Sequence, residues 1–90
     1  MAVWIQQSGE RKIVHPKDGN TFSLEELQEY VGGYIERIVL EDGRMLWMDE
    51  EGKLKRKEIN IFATQLTRGL VANDDLIVGD TLLTDPGEVE

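Results

Sequence analysis

Few side chains in this sequence are equipped for covalent or acid–base chemistry. There is one histidine, His15, and no cysteine. That removes cysteine nucleophiles, Cys–His pairs, thiolate metal sites and disulfide scaffolds together. His15 precedes Pro16 with no nameable acid–base partner, so it reads as a surface residue at a strand end and not as a general base. Carboxylates are abundant, but abundance alone does not make the spaced pair that a glycosidase needs. Asp49-Glu50-Glu51-Gly52 resembles part of a calcium loop. It lacks the alternating oxygen ligands and the closing glutamate at the required spacing, so a solvated turn is expected. Gly32-Gly33 lacks the rest of a dinucleotide fingerprint and stops a helix where a phosphate cradle would open one. No catalytic residue, metal site or cofactor is expected.

What remains suits binding. The run Lys53-Leu54-Lys55-Arg56-Lys57 carries four of the ten basic residues. It reads as an edge strand or exposed loop, meeting an anion or guarding an edge against strand pairing. Trp47 lies between Leu46 and Met48. Side chains alternate along a strand, so one face should expose Trp47, or else Leu46 and Met48, as an interaction patch.

The elements that must position these groups follow from local pattern. Ala2 to Gln7 and Lys12 to His15 read as a strand hairpin, closed by Pro16. Ser23 and Glu26 form a capping box, and Phe22 with Leu27 has the spacing of a hydrophobic staple. Leu24, Leu27 and Val31 then make a narrow buried stripe, ended by Gly32-Gly33. Tyr34 to Leu40 and Arg44 to Met48 read as a second hairpin around Asp42-Gly43, a two-residue turn signal. Asn60 caps a second helix over about Ile61 to Arg68, with Phe62, Ala63 and Leu66 on one face. Asn73-Asp74-Asp75 reads as a turn. Leu76 to Val78 and Thr81 to Thr84 read as strand, interrupted by Gly79-Asp80. The order is ββ-α-ββ-α-β. It points to a single small α+β domain over 1–84, a mainly antiparallel sheet with two short helices on one face. An acidic tail over 85–90 is expected to fray.

Charge narrows the partners. Eighteen acids face ten bases in 90 residues, a net charge of −8. Holding a nucleic acid requires cations against phosphates, so direct nucleic-acid binding is not expected, nor is an anionic membrane. No apolar run approaches the roughly 20 residues needed to span a bilayer.

Leu27-Gln28 followed by Val31-Gly32-Gly33-Tyr34-Ile35-Glu36 resembles a family of small proteins of phages, plasmids and conjugative elements, catalogued as domain of unknown function 3846. The likeness continues through Glu50-Glu51-Gly52, through Asn60 with Ala63-Thr64, and through Ile77-Val78-Gly79-Asp80 before Leu82, over about residues 12 to 84. It implies a mobile-element protein of the bacterial cytoplasm and no known reaction. The expectation is a small non-enzymatic binding protein, a counter-defence factor sequestering a nucleotide immune signal as a homo-oligomer. Tyr34 or Trp47 would stack the base, Lys55, Arg56 or Lys57 would meet phosphate, and Asn60 would offer helix-start amides. The alternative is an acidic inhibitor that mimics DNA charge and binds a host defence or nucleic-acid enzyme. Its motivation is the −8 charge, with six acids and no Lys or Arg after Arg68.

Overall fold

The fold, taken from a computed structural model that describes residues 1–70 and 76–89, is a five-stranded sheet with a helix against each face. The strands are β1 (Ala2–Ile5), β2 (Arg11–Val14), β3 (Ile35–Val39), β4 (Met45–Asp49) and β5 (Thr81–Thr84). The helices are α1 (Leu24–Val31) and α2 (Ile61–Leu66). The spatial order is β2-β1-β5-β4-β3, and every neighbouring pair is antiparallel. The expected α+β class and element order are therefore the observed ones. The expected turn at Asn73-Asp74-Asp75 lies outside the described residues.

The two helices sit on opposite faces, not on one. Alternation along the strands sends Ala2, Trp47 and Leu82 to the face covered by Leu27 and Val31 of α1. It sends Ile5, Leu46, Met48 and Leu83 to the face covered by Ala63 and Leu66 of α2. This corrects the exposure expected on β4. Leu46, Trp47 and Met48 are all buried, because a central strand covered on both sides has no solvent face. Trp47 satisfies its indole by donating from Nε1 to Thr84 Oγ1 at 3.0 Å, as a buried Trp requires.

Local expectations hold at the start of α1. Ser23 Oγ accepts from the Glu26 backbone N–H, and Glu26 returns a carboxylate to the Ser23 N–H. Phe22 and Leu27 are buried in one cluster, as a staple demands. Leu24 departs from the expected stripe and is 56% exposed. The helix has only eight residues, so its contact with the sheet is confined to the turn carrying Leu27 and Val31.

Other boundaries move for geometric reasons. The β3–β4 hairpin closes through Leu40 N–H to Arg44 O and Gly43 N–H to Leu40 O. The loop is thus three residues, with Gly43 at φ +90° as the left-handed third position, and not two. α2 stops at Leu66, so Arg68 follows the helix. The basic run forms successive turns and adds no strand to the sheet. Residues 85–89 are not frayed. Phe22 bridges Val89, its N–H donates to Glu88 O at 2.7 Å, and the Met1 ammonium pairs with Asp85 and Glu88.

The two leucines of α1 separate the sequence pattern from the packing. Leu27→Ala should cost about 2–5 kcal/mol, read as a lower urea midpoint at unchanged slope. Leu24→Ala should stay within about 0.5 kcal/mol.

Candidate functional site

The strongest electrostatic feature of the described residues lies at the end of the central strand. Asp49 is the last residue of β4, and its side chain is fully buried. Its Oδ2 meets Lys55 Nζ and Lys57 Nζ, each at 2.8 Å. Oδ1 accepts from the Glu51 N–H at 2.8 Å. Burial pushes this carboxyl up, but hydrogen bonds from both lysines and from the Glu51 N–H, with the charge of Lys57, outweigh burial and hold it below its usual range. Lys55 is raised by its bond to Asp49.

The same two lysines close α1. Lys57 Nζ donates to Val31 O at 2.8 Å and Lys55 Nζ to Gly32 O at 3.4 Å. These are end carbonyls that a helix cannot satisfy internally, and cations are favoured there. The fit is tight. A Cβ on Gly33 would stand 2.7 Å from both Asp49 oxygens and from Lys55 Nζ, and one on Gly79 would stand 2.6 Å from Lys57 Cδ. Glycine at 33 and 79 is what lets the chain pass so close to the pair. Between the lysines, Arg56 adopts φ +56°, at a cost of about 1–2 kcal/mol for a residue with a Cβ.

A second network holds the start of α2. Asn60 Oδ1 accepts from the Ala63 N–H at 3.1 Å, and its Nδ2 donates to Ile5 O and Gly79 O, both at 2.9 Å. Thr64 Oγ1 accepts from the Ile77 N–H at 3.0 Å. Asp80 Oδ1 accepts from the Gln7 N–H at 3.0 Å. Segments far apart in the chain are thereby tied to one end of the sheet.

The residues expected to bind a ligand are thus distributed unequally. Trp47 is core. Asn60 is buried with both polar atoms of its amide engaged. Lys55 and Lys57 face Asp49, so one residue of the acidic turn, expected as solvated, is buried in an ion pair with two cations of the basic run. Arg56 is exposed. Tyr34 is 68% exposed and shares with Gln28, Gly33, Glu51 and Lys55 a shallow recess of about 230 Å³. Of the expected set, Tyr34 and Lys55 are brought together there.

A larger groove of about 310 Å³ was not anticipated. It runs beside β3 on the α2 face, floored by Ile38, Met48 and Ile77 and walled by Leu54 and Leu76. Glu36 and Glu50 stand at it, both exposed and neither in an ion pair among the described residues. Lys53, at the rim, has a partner of its own. Alternation places Glu36 and Ile38 on one face, but nothing local says that residues 50–54 and 76–78 close over it. Among the described residues no group of three or more His, Cys, Asp or Glu is placed to hold a metal ion. No helix there is long and apolar enough to cross a membrane.

A family model, Domain of unknown function (DUF3846), matches residues 1–90. No curated protein and no solved structure matches the chain.

Because the folded state depresses Asp49, its contribution to stability is full above the ordinary carboxylate range near pH 4. It is lost as pH falls through the depressed value. Asp49→Asn should therefore lower the urea midpoint strongly at pH 7, by the equivalent of about 3 kcal/mol, and much less at pH 2. Gly33→Ala should be destabilising by about 1–3 kcal/mol through overpacking, read the same way.

Proposed function

The chain belongs to the DUF3846 family, and we propose that this member is a non-enzymatic binding protein that engages a basic partner through its acidic surface. The single observation behind this reading is that most of the cations have a partner within the fold, Arg56 and Arg68 excepted among the described residues, while several exposed carboxylates have none. Lys55 and Lys57 close on Asp49, Lys12 on Glu10, Lys17 on Glu29 and Arg44 on Asp42. Arg11 lies over the Phe62 ring at 4.0 Å, and Arg37 over Trp47 at 6.0 Å. Glu36, Glu41, Glu50 and Glu58 remain exposed and outside any ion pair among the described residues. A surface of one sign steers an oppositely charged partner. On a mobile element, such a protein would occupy the nucleic-acid face of a host defence or nucleic-acid enzyme in place of DNA.

The second reading, sequestration of a nucleotide signal, draws on the recess that joins Tyr34 and Lys55. It keeps an aromatic face for stacking and one cation, but that cation already serves Asp49.

Affinity carried by exposed charge falls as the screening length shrinks from about 10 Å at 0.1 M salt to about 3 Å at 1 M. Partners captured from a bacterial lysate should be basic, release steeply across that range, and compete with DNA for the immobilised chain's target. Salt-insensitive capture would refute the reading. Native mass spectrometry with cyclic and NAD-derived nucleotides should show no stoichiometric complex. A complex abolished by Tyr34→Ala would transfer the function to the recess, and a converted nucleotide would make the protein an enzyme.

A further inference from the structure

We propose that the β3 edge and the groove beside it form a docking site for an extended, basic segment of the partner, which adds antiparallel to the sheet. This rests on the acidic-surface reading above and specifies where and how the partner binds.

β3 is an end strand of the sheet. Its ladder to β4 is bracketed by Leu40 N–H to Arg44 O and Glu50 N–H to Tyr34 O, both 2.8 Å. Backbone groups alternate in direction along an antiparallel strand. Glu36 and Ile38 therefore spend theirs on β4, while Ile35, Arg37 and Val39 aim theirs away from the sheet. Such an edge is a template for another strand. It is about 17 Å long at roughly 3.4 Å per residue.

Side chains decide which strand fits. A partner residue opposite Glu36 or Ile38 would occupy a non-hydrogen-bonded pair, the closer kind, with its side chain on the same face. That face is the groove. Opposite Glu36 the incoming side chain would meet two carboxylates, Glu36 and Glu50, with Met48, Leu54 and Leu76 around its stem. A lysine or arginine satisfies both halves, an aliphatic stem and a cationic head. Two residues along, opposite Ile38, the floor is apolar and takes an aliphatic residue. The code is basic, any, apolar. The other end strand, β2, contains no carboxylate to meet such a side chain.

The probe is a fluorescein-labelled peptide repeating Lys-Thr-Val-Thr, which puts lysine and valine on one face of a strand, compared by fluorescence anisotropy with a peptide of the same composition repeating Lys-Val-Thr-Thr, which puts them on opposite faces. The same-face peptide should bind at least about tenfold tighter, because only it brings a basic and an apolar side chain two positions apart to the groove. Glu36→Lys should weaken it by about tenfold or more through charge reversal. Arg37→Pro removes an outward N–H and leaves the β4 ladder intact, the position at which an edge strand accepts proline. It should keep the melting temperature within a few degrees and lose the same-face peptide. Amide shifts on binding should concentrate at Ile35 to Val39. Equal binding of the two peptides, or affinity unchanged in Glu36→Lys, would overturn the edge site while leaving the acidic-surface reading standing. Failure of every basic peptide to bind would overturn both. A concentration-dependent dimer whose interface maps to β3 would replace the basic partner with a second copy and overturn the proposal.

Discussion

A carboxylate has to be kept dry at the end of the central strand, and much of the architecture answers to that. An ionised Asp49 without partners would be prohibitively costly in this position. Two ammonium groups, one backbone N–H and two helix-end carbonyls are arranged so that each compensates another. The carboxylate draws in the lysines, and the lysines satisfy α1. Residues 31–33, 49–57 and 79 are thereby bound at one corner. That corner sets where α1 ends, where β3 begins and how the turns after β4 fold back. Pairs of this kind are weak sources of net stability but strong determinants of position, since removing one member strands the other.

Most of the stretches that resemble the family converge on this corner and on the network beside it, whereas Glu36 and Glu50, which also fall within them, stand at the β3 groove. Val31-Gly32-Gly33 ends α1 against the lysines. Gly79 gives Lys57 its passage, and Asp80 fastens the exit of β1. Asn60, Ala63 and Thr64 tie α2 to residues 77–79 and to Ile5. These residues are accounted for by construction, and most of their polar atoms are already used. The proposed binding role therefore rests on residues with no such duty among the described residues, above all the exposed carboxylates and the edge of β3. The proposal of an acidic, partner-seeking surface depends on this division. Lys55 and Lys57, turned onto Asp49, are less available to phosphates, and exposed carboxylates outside any ion pair among the described residues are available to a basic partner.

Double coverage of the sheet is the other constraint. With α1 on one face and α2 on the other, β4 and β5 bury side chains on both sides, and the polar ones among them, Thr81, Thr84 and Asp49, are hydrogen-bonded. Each helix is short because each covers only the middle of a narrow sheet. Leu24 remains outside for that reason, despite its helical spacing from Leu27 and Val31.

Features dictated within a few residues were legible in the sequence. The capping box at Ser23, the stop at Gly32, the Asn60 cap, the two hairpins and the α+β order depend on local hydrogen bonds and on side-chain period, which the linear chain displays. The charge of −8 and its bearing on partners needed no coordinates. Tertiary structure alone decided which face each helix covers, because alternation says that two faces exist and not what lies above them. Hence Trp47 could be read as a surface residue and is core. It alone decided that Asp49 and the lysines six and eight positions later meet, since a tight turn with a left-handed Arg56 has no helical or strand period to announce it. It alone assembled the groove at β3, whose lining comes from three separate segments, 36–38, 48–54 and 76–78. Local chemistry determines elements; the assignment of polar groups to interior pairing or to an open surface is a property of long-range packing.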